Sequence, residues 1–168
     1  MSDYGTPRLY VGTYHKYNCG SIKGAWIDLD DGDEDDFWAA AKELHKDEAD
    51  PELMFQDFEG FPRALYGESS LDPRIWEWID LDEHQKEAVA LYWDHVNGDG
   101  SVEDALNAYA GSYDSERDWA EQFLEEIGGL SEIPEHLRYY FDYEAYAKDS
   151  DMYFVHDGGS VHAFDRNA

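Results

Sequence analysis

Carboxylates are the reactive groups this chain has in greatest supply. Between Asp28 and Asp36 seven of nine residues are acidic, ending in Asp33-Glu34-Asp35-Asp36. Such groups support three kinds of chemistry. Two of them roughly 5–10 Å apart can work as acid and base on a glycosidic bond. With histidine or cysteine at suitable spacing they bind metal ions. As an array they hold Lys and Arg side chains through charge-assisted hydrogen bonds.

The first chemistry keeps one reading open, a small carbohydrate-active or carbohydrate-binding protein, because sugar sites are rich in the Trp and Tyr abundant here. Yet most aromatics fall at helical core spacing, and no acid is singled out by an apolar surrounding. The second finds little support. Asn97-Gly-Asp-Gly-Ser-Val102 has the middle of an EF-hand loop, but Gly100 at position 6 places His95 at position 1 and Leu106 at position 12, where acids are required. The seven histidines form no H-x-x-x-H pair. His156 and His162 flank a turn and are expected at the surface, on opposite sheet faces. Cys19 is alone, so no internal disulfide can form. No nucleophile elbow, Walker loop or G-x-G-x-x-G is present. The expectation is no catalysis, no metal and no cofactor.

The third chemistry matches the whole composition. Forty acids face twelve bases, a formal net charge of -28. Residues 1–60 carry 15 acids and 5 bases, residues 61–110 carry 11 and 3, and residues 111–168 carry 14 and 4. An acidic tail would concentrate charge at one end, and an active site would need only two or three carboxylates. Halophilic adaptation would also spread acids, and it is compatible with any function. Disorder is excluded, because 42% hydrophobic and 16% aromatic residues supply a core. Anionic lipid and nucleic acid would be repelled. No apolar run approaches the ~18–20 residues of a bilayer span, and the opening MSDYGTPRLY does not read as a leader. A cytoplasmic protein is expected, its partner a protein surface that normally holds a polyanion. Duplex DNA carries one charge per ~1.7 Å, so -28 equals the charge of roughly 50 Å of duplex.

The elements that must carry these acids read as α+β. Arg8–Thr13, Gly24–Leu29 and Leu53–Phe58 have strand character, with turn chemistry over His15–Ser21. Asp33 is a candidate N-cap for a helix to about His45 that buries Phe37, Trp38, Ala41 and Leu44. The loop with Gly60, Pro62 and Gly67 marks a subdomain boundary. Ser70-Leu-Asp-Pro73 opens a short helix carrying Ile75, Trp76 and Ile79. Asp82-x-x-Gln85 starts a longer one that Asn97-Gly98 stops, and Ser101-x-x-Asp104 a third. Ala108–Tyr113 reads equally as helix or strand. Ser115-x-x-Asp118 caps a helix with Trp119, Phe123, Leu124 and Ile127 inward, ended by Gly128-Gly129. Pro134 begins a helix through Leu137, Tyr140 and Phe141. Met152–His156 and Val161–Asp165 form a hairpin across Gly158-Gly159.

Leu130–Asp149, LSEIPEHLRYYFDYEAYAKD, resembles the antirestriction motif of ArdA-type proteins. The matching positions are Leu130, Glu132, Ile133, Pro134, Glu135, Leu137, Tyr140, Asp142, Tyr143, Ala145, Tyr146, Ala147, Lys148 and Asp149; Lys148 stands where the pattern favours Arg. The likeness continues in Tyr17, Asn18, Gly20, Gly24 and Trp26 and in Glu125-Glu126-x-Gly128-x-Leu130, and covers nearly all of residues 8–165. The resemblance implies an elongated dimer of three small subdomains per chain: 1–60 (N-terminal α+β), 61–104 (central helical) and 105–168 (C-terminal α+β, carrying the motif). It also implies a DNA mimic that occupies the DNA-binding groove of type I restriction–modification enzymes and so protects incoming mobile DNA such as plasmids, transposons or phage. An acidic scaffold for some other basic protein is the remaining alternative.

The acids expected to face the partner are Asp30, Asp31, Asp33, Glu34, Asp35, Asp36, Asp47, Glu48, Asp72, Asp80, Asp82, Glu83, Glu87, Asp114, Glu116, Glu121, Glu125 and Glu126. Ile133, Leu137, Tyr140 and Phe141 have the spacing of an apolar helix face, whose roles are core packing or, with Ala108–Tyr113, a dimer interface.

Overall fold

In strand β1 (Arg8–Thr13) Leu9 and Val11 are fully buried while Arg8 and Tyr10 are not, the period-two alternation of a sheet with one covered face. The structure, a computed structural model, describes residues 4–168; Met1-Ser-Asp3, part of the stretch that does not read as a leader, lies outside them. The fold is α+β, and the chain divides into two compact units, residues up to Ala90 and residues from Leu91. Among the described residues no helix is long and apolar enough to cross a membrane.

In the first unit β1 lies between β2 (Ala25–Asp28) and β3 (Leu53–Glu59), antiparallel to both. Tyr10 faces Asp57 but Val11 faces Phe55, so Gln56 is an extra residue in β3. Such a bulge bends the strand. Phe55 is fully buried, its ring 6.0 Å from those of Phe37 and Trp38. The His15–Ser21 turn region contains one turn of helix, α1 (Tyr14–Asn18), because the Thr13 hydroxyl accepts from the Lys16 amide at 3.2 Å. Helix α2 (Glu34–Leu44) starts where Asp33 predicted. Its buried stripe is narrower than expected: Phe37 and Ala41 are covered, Trp38 is half-buried and Leu44 is exposed. The next position on the i, i+4 row is His45, 1% exposed, which takes the place expected for Leu44.

A polar cluster makes that buried imidazole tolerable. His45 Nε2 lies 3.0 Å from the Val11 carbonyl, and the Lys16 ammonium donates to its Nδ1 at 2.9 Å. A lysine ammonium cannot accept, so the Nδ1 must carry the lone pair and Nε2 the proton. Lys16 also donates to Asp47 at 2.9 Å and Glu48 at 2.8 Å, and the Thr13 hydroxyl donates to Glu48 at 2.7 Å. These bonds lower the carboxyl pKa values of Asp47 and Glu48 and raise that of Lys16.

Beyond β3, Gly60 turns with φ +79, where a Cβ would meet the Thr6 carbonyl oxygen at 2.2 Å. Two helices follow, α3 (Ile75–Ile79) and α4 (Glu83–His95). Asp82 and Gln85 exchange side-chain to backbone bonds of 2.9 and 3.2 Å, the expected capping box. Trp78 is fully buried and donates to the Lys86 carbonyl at 3.2 Å.

In the second unit α5 (Val102–Ala108) begins in a capping box of Ser101 and Asp104. The ambiguous stretch after it is a strand, β4 (Tyr109–Tyr113), pairing with β6 (Ser160–Asp165), which pairs with β5 (Met152–Asp157). The hairpin register is the expected one, with His156 opposite Val161 and Val155 opposite His162. His162 is not a surface residue, however. It is 4% exposed, its Nδ1 3.0 Å from the Tyr109 hydroxyl.

Helix α6 (Glu116–Glu126) buries Trp119, Ala120 and Leu124 against Tyr143, Ala147 and Ala163. Phe123 and Ile127, expected inward, are 36% and 59% exposed. The row through Ala120 and Leu124 faces the core, leaving them at its flank. Gly128 closes the helix with φ +73. After Pro134 the chain forms a 3-10 segment, Glu135–Tyr140, instead of the expected α-helix. A separate helix, α7 (Tyr143–Asp149), follows with Asp142 as its N-cap, accepting from Ala145 at 3.0 Å.

Phe55→Ala should lower stability by about 3–5 kcal/mol, read as the shift of the chemical unfolding midpoint. A second expectation concerns pH. Glu48 and Asp47 have lowered folded-state pKa values, so their contribution is present above the ordinary carboxylate values and lost as pH falls from there through the lowered folded-state values. Lys16, with a raised value, contributes fully below the ordinary lysine value and loses that as pH rises from there through the raised folded-state value. Lys16→Met should therefore be less stable than the parent at neutral pH, the gap closing in acid. A gap independent of pH would show that the cluster contributes by packing alone.

Candidate functional site

The densest acidic surface lies where β2 runs into α2. Carboxylate oxygens of Asp28, Asp30 and Asp31 lie within 4.8 Å of one another. Asp33 and Asp36 then cap α2 reciprocally, each bond 3.0 Å. Glu34, Asp35 and Asp36 occupy the first helical turn, where the positive end of the macrodipole offsets part of their repulsion. Local structure thus holds seven negative charges in place beside the half-buried Trp26 and Ile27.

The expected partner-facing acids sort into three groups. Asp30, Asp31, Asp33, Glu34, Asp35, Asp36, Asp47, Asp80, Asp82, Glu83, Asp114, Glu121, Glu125 and Glu126 are exposed. Three are half-covered. Glu48 is held by Lys16, Asp72 by Arg74 at 2.8 Å, and Glu116 lies 3.8 Å from His156. The Arg74 guanidinium bonds lower the Asp72 carboxyl pKa. Glu87 is 8% exposed and is not a surface acid, because α4 is covered on all sides from Lys86 to Ala90. On α6 the exposed acids Asp118, Glu121 and Glu125 follow i, i+3, i+7 spacing and make one stripe opposite the buried row.

The motif from Leu130 to Asp149 is partly scaffold and partly surface. Tyr143 and Ala147 are in the core, with Leu130, Phe141 and Tyr146 packed at its margin. Ile133 is half-buried, and its carbonyl accepts from Arg138 Nε at 3.0 Å. Glu132, Pro134, Glu135, Asp142, Ala145, Lys148 and Asp149 are exposed. Leu137 is 45% and Tyr140 79% exposed, so neither packs the core; Tyr139 between them is 89% exposed.

A general acid needs a carboxyl pKa pushed up towards the working pH. Asp47, Glu48, Asp72 and Asp104 move the other way, each held down by hydrogen bonds. The grouping of His45, Asp47 and Glu48 has the spacing of a metal site, but the Lys16 ammonium bonds all three at 2.8–2.9 Å and supplies the positive charge itself. Sequence reasoning missed this cluster, since Lys16 lies 29 residues from His45 and has no spacing signature. It also missed an aromatic hollow on the open face of the first sheet, where Tyr10 and Trp26 meet edge to face at 5.6 Å; the signal available was Tyr10 alternating with Leu9 and Val11.

No curated protein matches the chain. A family model described as Antirestriction protein (ArdA) matches residues 9–162. With that match over most of its length, and the motif placed between α6 and β5, the chain belongs to the ArdA antirestriction protein family.

Proposed function

We propose that the protein is a non-enzymatic DNA mimic that occupies the DNA-binding groove of a type I restriction–modification enzyme. The observation that carries this is charge that cannot be satisfied internally. Were each of the twelve bases paired to one acid, 28 carboxylates would remain, and exposed ones stand on both units. Lys and Arg that contact phosphates bond carboxylates by the same charge-assisted geometry. Acting inside the cell on such an enzyme, the protein would be cytoplasmic and would need neither nucleic acid nor cofactor.

The same reading includes three subdomains, with boundaries near residues 60 and 104, and a homodimer. The stretch between β3 and β4 is mainly helical, which favours a central helical part. For the dimer, the support is exposed apolar surface at Leu137, Tyr139 and Tyr140, beside the half-buried Ile133 and Phe141. Strand β4 is also at the edge of its sheet.

Displacement of a labelled duplex from a type I enzyme tests the mimicry. Asp35→Asn alone should change the competing concentration less than about threefold, because distributed contacts contribute little each. Neutralising Asp30, Asp31, Glu34 and Asp35 together, which spares the Asp33–Asp36 capping box, should weaken competition about tenfold or more. Abolition of activity by a single exposed acid would argue for a catalytic site instead. Leu137→Glu with Tyr140→Glu should give a monomer by sedimentation velocity with an unchanged fold by circular dichroism. A dimer persisting in that variant would move the interface elsewhere.

A further inference from the structure

The open face of the first sheet carries a hollow of about 470 Å³ with an unusual lining for so acidic a chain. Strand alternation creates it. Leu9 and Val11 point into the core, so Arg8 and Tyr10 point out, and the register sets Trp26 on one side of Tyr10 and Asp57 on the other. Tyr17, Tyr66 and Glu68 are also part of the wall, over a floor that includes Met54, Phe55 and Gln56 of β3. Among the described residues no Lys, Arg or His lines it. Tyr10 is fixed by its hydroxyl, which donates to the Ile22 carbonyl at 2.9 Å, and Tyr66 by donation to the Phe55 carbonyl. The rings are therefore held in place, and 52% of Tyr17 and 72% of Ile22 stay open to solvent at the rim.

We propose that this hollow is a socket for one cationic side chain of the protein partner, an arginine guanidinium, held between the Tyr10, Trp26 and Tyr66 rings and the Asp57 and Glu68 carboxylates. This rests on the reading that the acidic surface binds a basic protein, and adds a discrete anchor to it. Ring faces attract guanidinium groups, and a planar guanidinium stacks on a ring while forking to a carboxylate. The chain already makes that contact on one wall of the hollow, the Trp26 ring itself. The Arg8 guanidinium carbon lies 5.0 Å from the Trp26 ring centroid, while its nitrogens donate to Glu59 at 2.8 and 2.6 Å. The field in the hollow has the right sign. Burial raises the Tyr66 hydroxyl pKa, and the Glu68 and Asp57 charges raise it further, against a smaller opposing effect of Arg63. Diffuse carboxylates elsewhere would give reach and rate; the socket would give register, as buried anchors do in other interfaces.

The test uses the full chain and N-acetylarginine amide as probe, with N-acetylcitrulline amide as its uncharged isostere. Arginine amide should shift the Trp26 indole N–H and the amides around Tyr10, Asp57 and Tyr66 saturably in ¹⁵N–¹H spectra. Citrulline amide should bind at least fivefold more weakly. Trp26→Leu and the pair Asp57→Asn with Glu68→Gln should each weaken the arginine shifts at least threefold while the amide pattern elsewhere is preserved. Neutralising Asp30, Asp31, Glu34 and Asp35 should leave them unchanged within twofold. Equal binding of citrulline amide would overturn the cationic occupant, as would a chitotriose that shifts these resonances when arginine does not. Shifts spread evenly over all acidic surfaces would overturn the socket and leave the proposed mimicry standing. Arginine amide binding nowhere on the chain, with undiminished competition against duplex DNA, would also remove the socket alone.

Discussion

Twenty-eight uncompensated negative charges must coexist on one folded chain, and the rest of the structure answers to that constraint. Self-repulsion favours expansion, so the opposing term has to come from burial. Aromatic residues supply much of it. Phe37, Phe55, Trp78, Trp93, Trp119 and Phe164 are each less than 5% exposed, and rings of this size bury more area than any aliphatic side chain. Local electrostatics soften the remainder. Acids are used as helix caps at Asp33, Asp82, Asp104 and Asp142, where backbone N–H groups and the macrodipole meet them. Some of the few bases stand beside half-covered acids, as Lys16 does for Glu48 and Arg74 for Asp72.

Those devices explain which parts of the fold were legible in the sequence. Helix starts at Asp33, Ser101 and Ser115 and the Gly158-Gly159 hairpin were readable because they depend on residues within three positions of one another. The single-turn helix after Thr13 hides behind Asn18 and Gly20, whose turn chemistry is its ending and not its absence. Helix α7 was hidden by the aromatic run before it, which let Pro134–Phe141 pass for an α-helix. The expected inward faces failed at Leu44, Phe123 and Ile127 for a shared reason. Apolar spacing defines a stripe, but only the partner element decides where the stripe ends, and in both helices a four-residue row won.

The site was legible as composition and not as geometry. Clustered acids from Asp30 to Asp36 announced themselves; the cover over Glu87 and the Arg74 clamp on Asp72 depended on tertiary placement. The stretch Leu130–Asp149 lies within the residues matched by the family model, and the structure divides its labour between holding α7 on α6 and presenting Leu137, Tyr139 and Tyr140 outward. Antirestriction is the function of the family, and the proposed mimicry is the mechanism that the charge supports. On that account carboxylates replace phosphates, and the aromatic cores keep them in position against their own repulsion.

The salt dependence of binding to a type I enzyme tests that account most directly. If carboxylates replace phosphates at the enzyme's Lys and Arg side chains, many contacts form at once and screening weakens each of them. The logarithm of the affinity should then fall steeply and linearly with the logarithm of salt concentration, in parallel with the enzyme's own duplex DNA. Tight binding that salt leaves unchanged would contradict it.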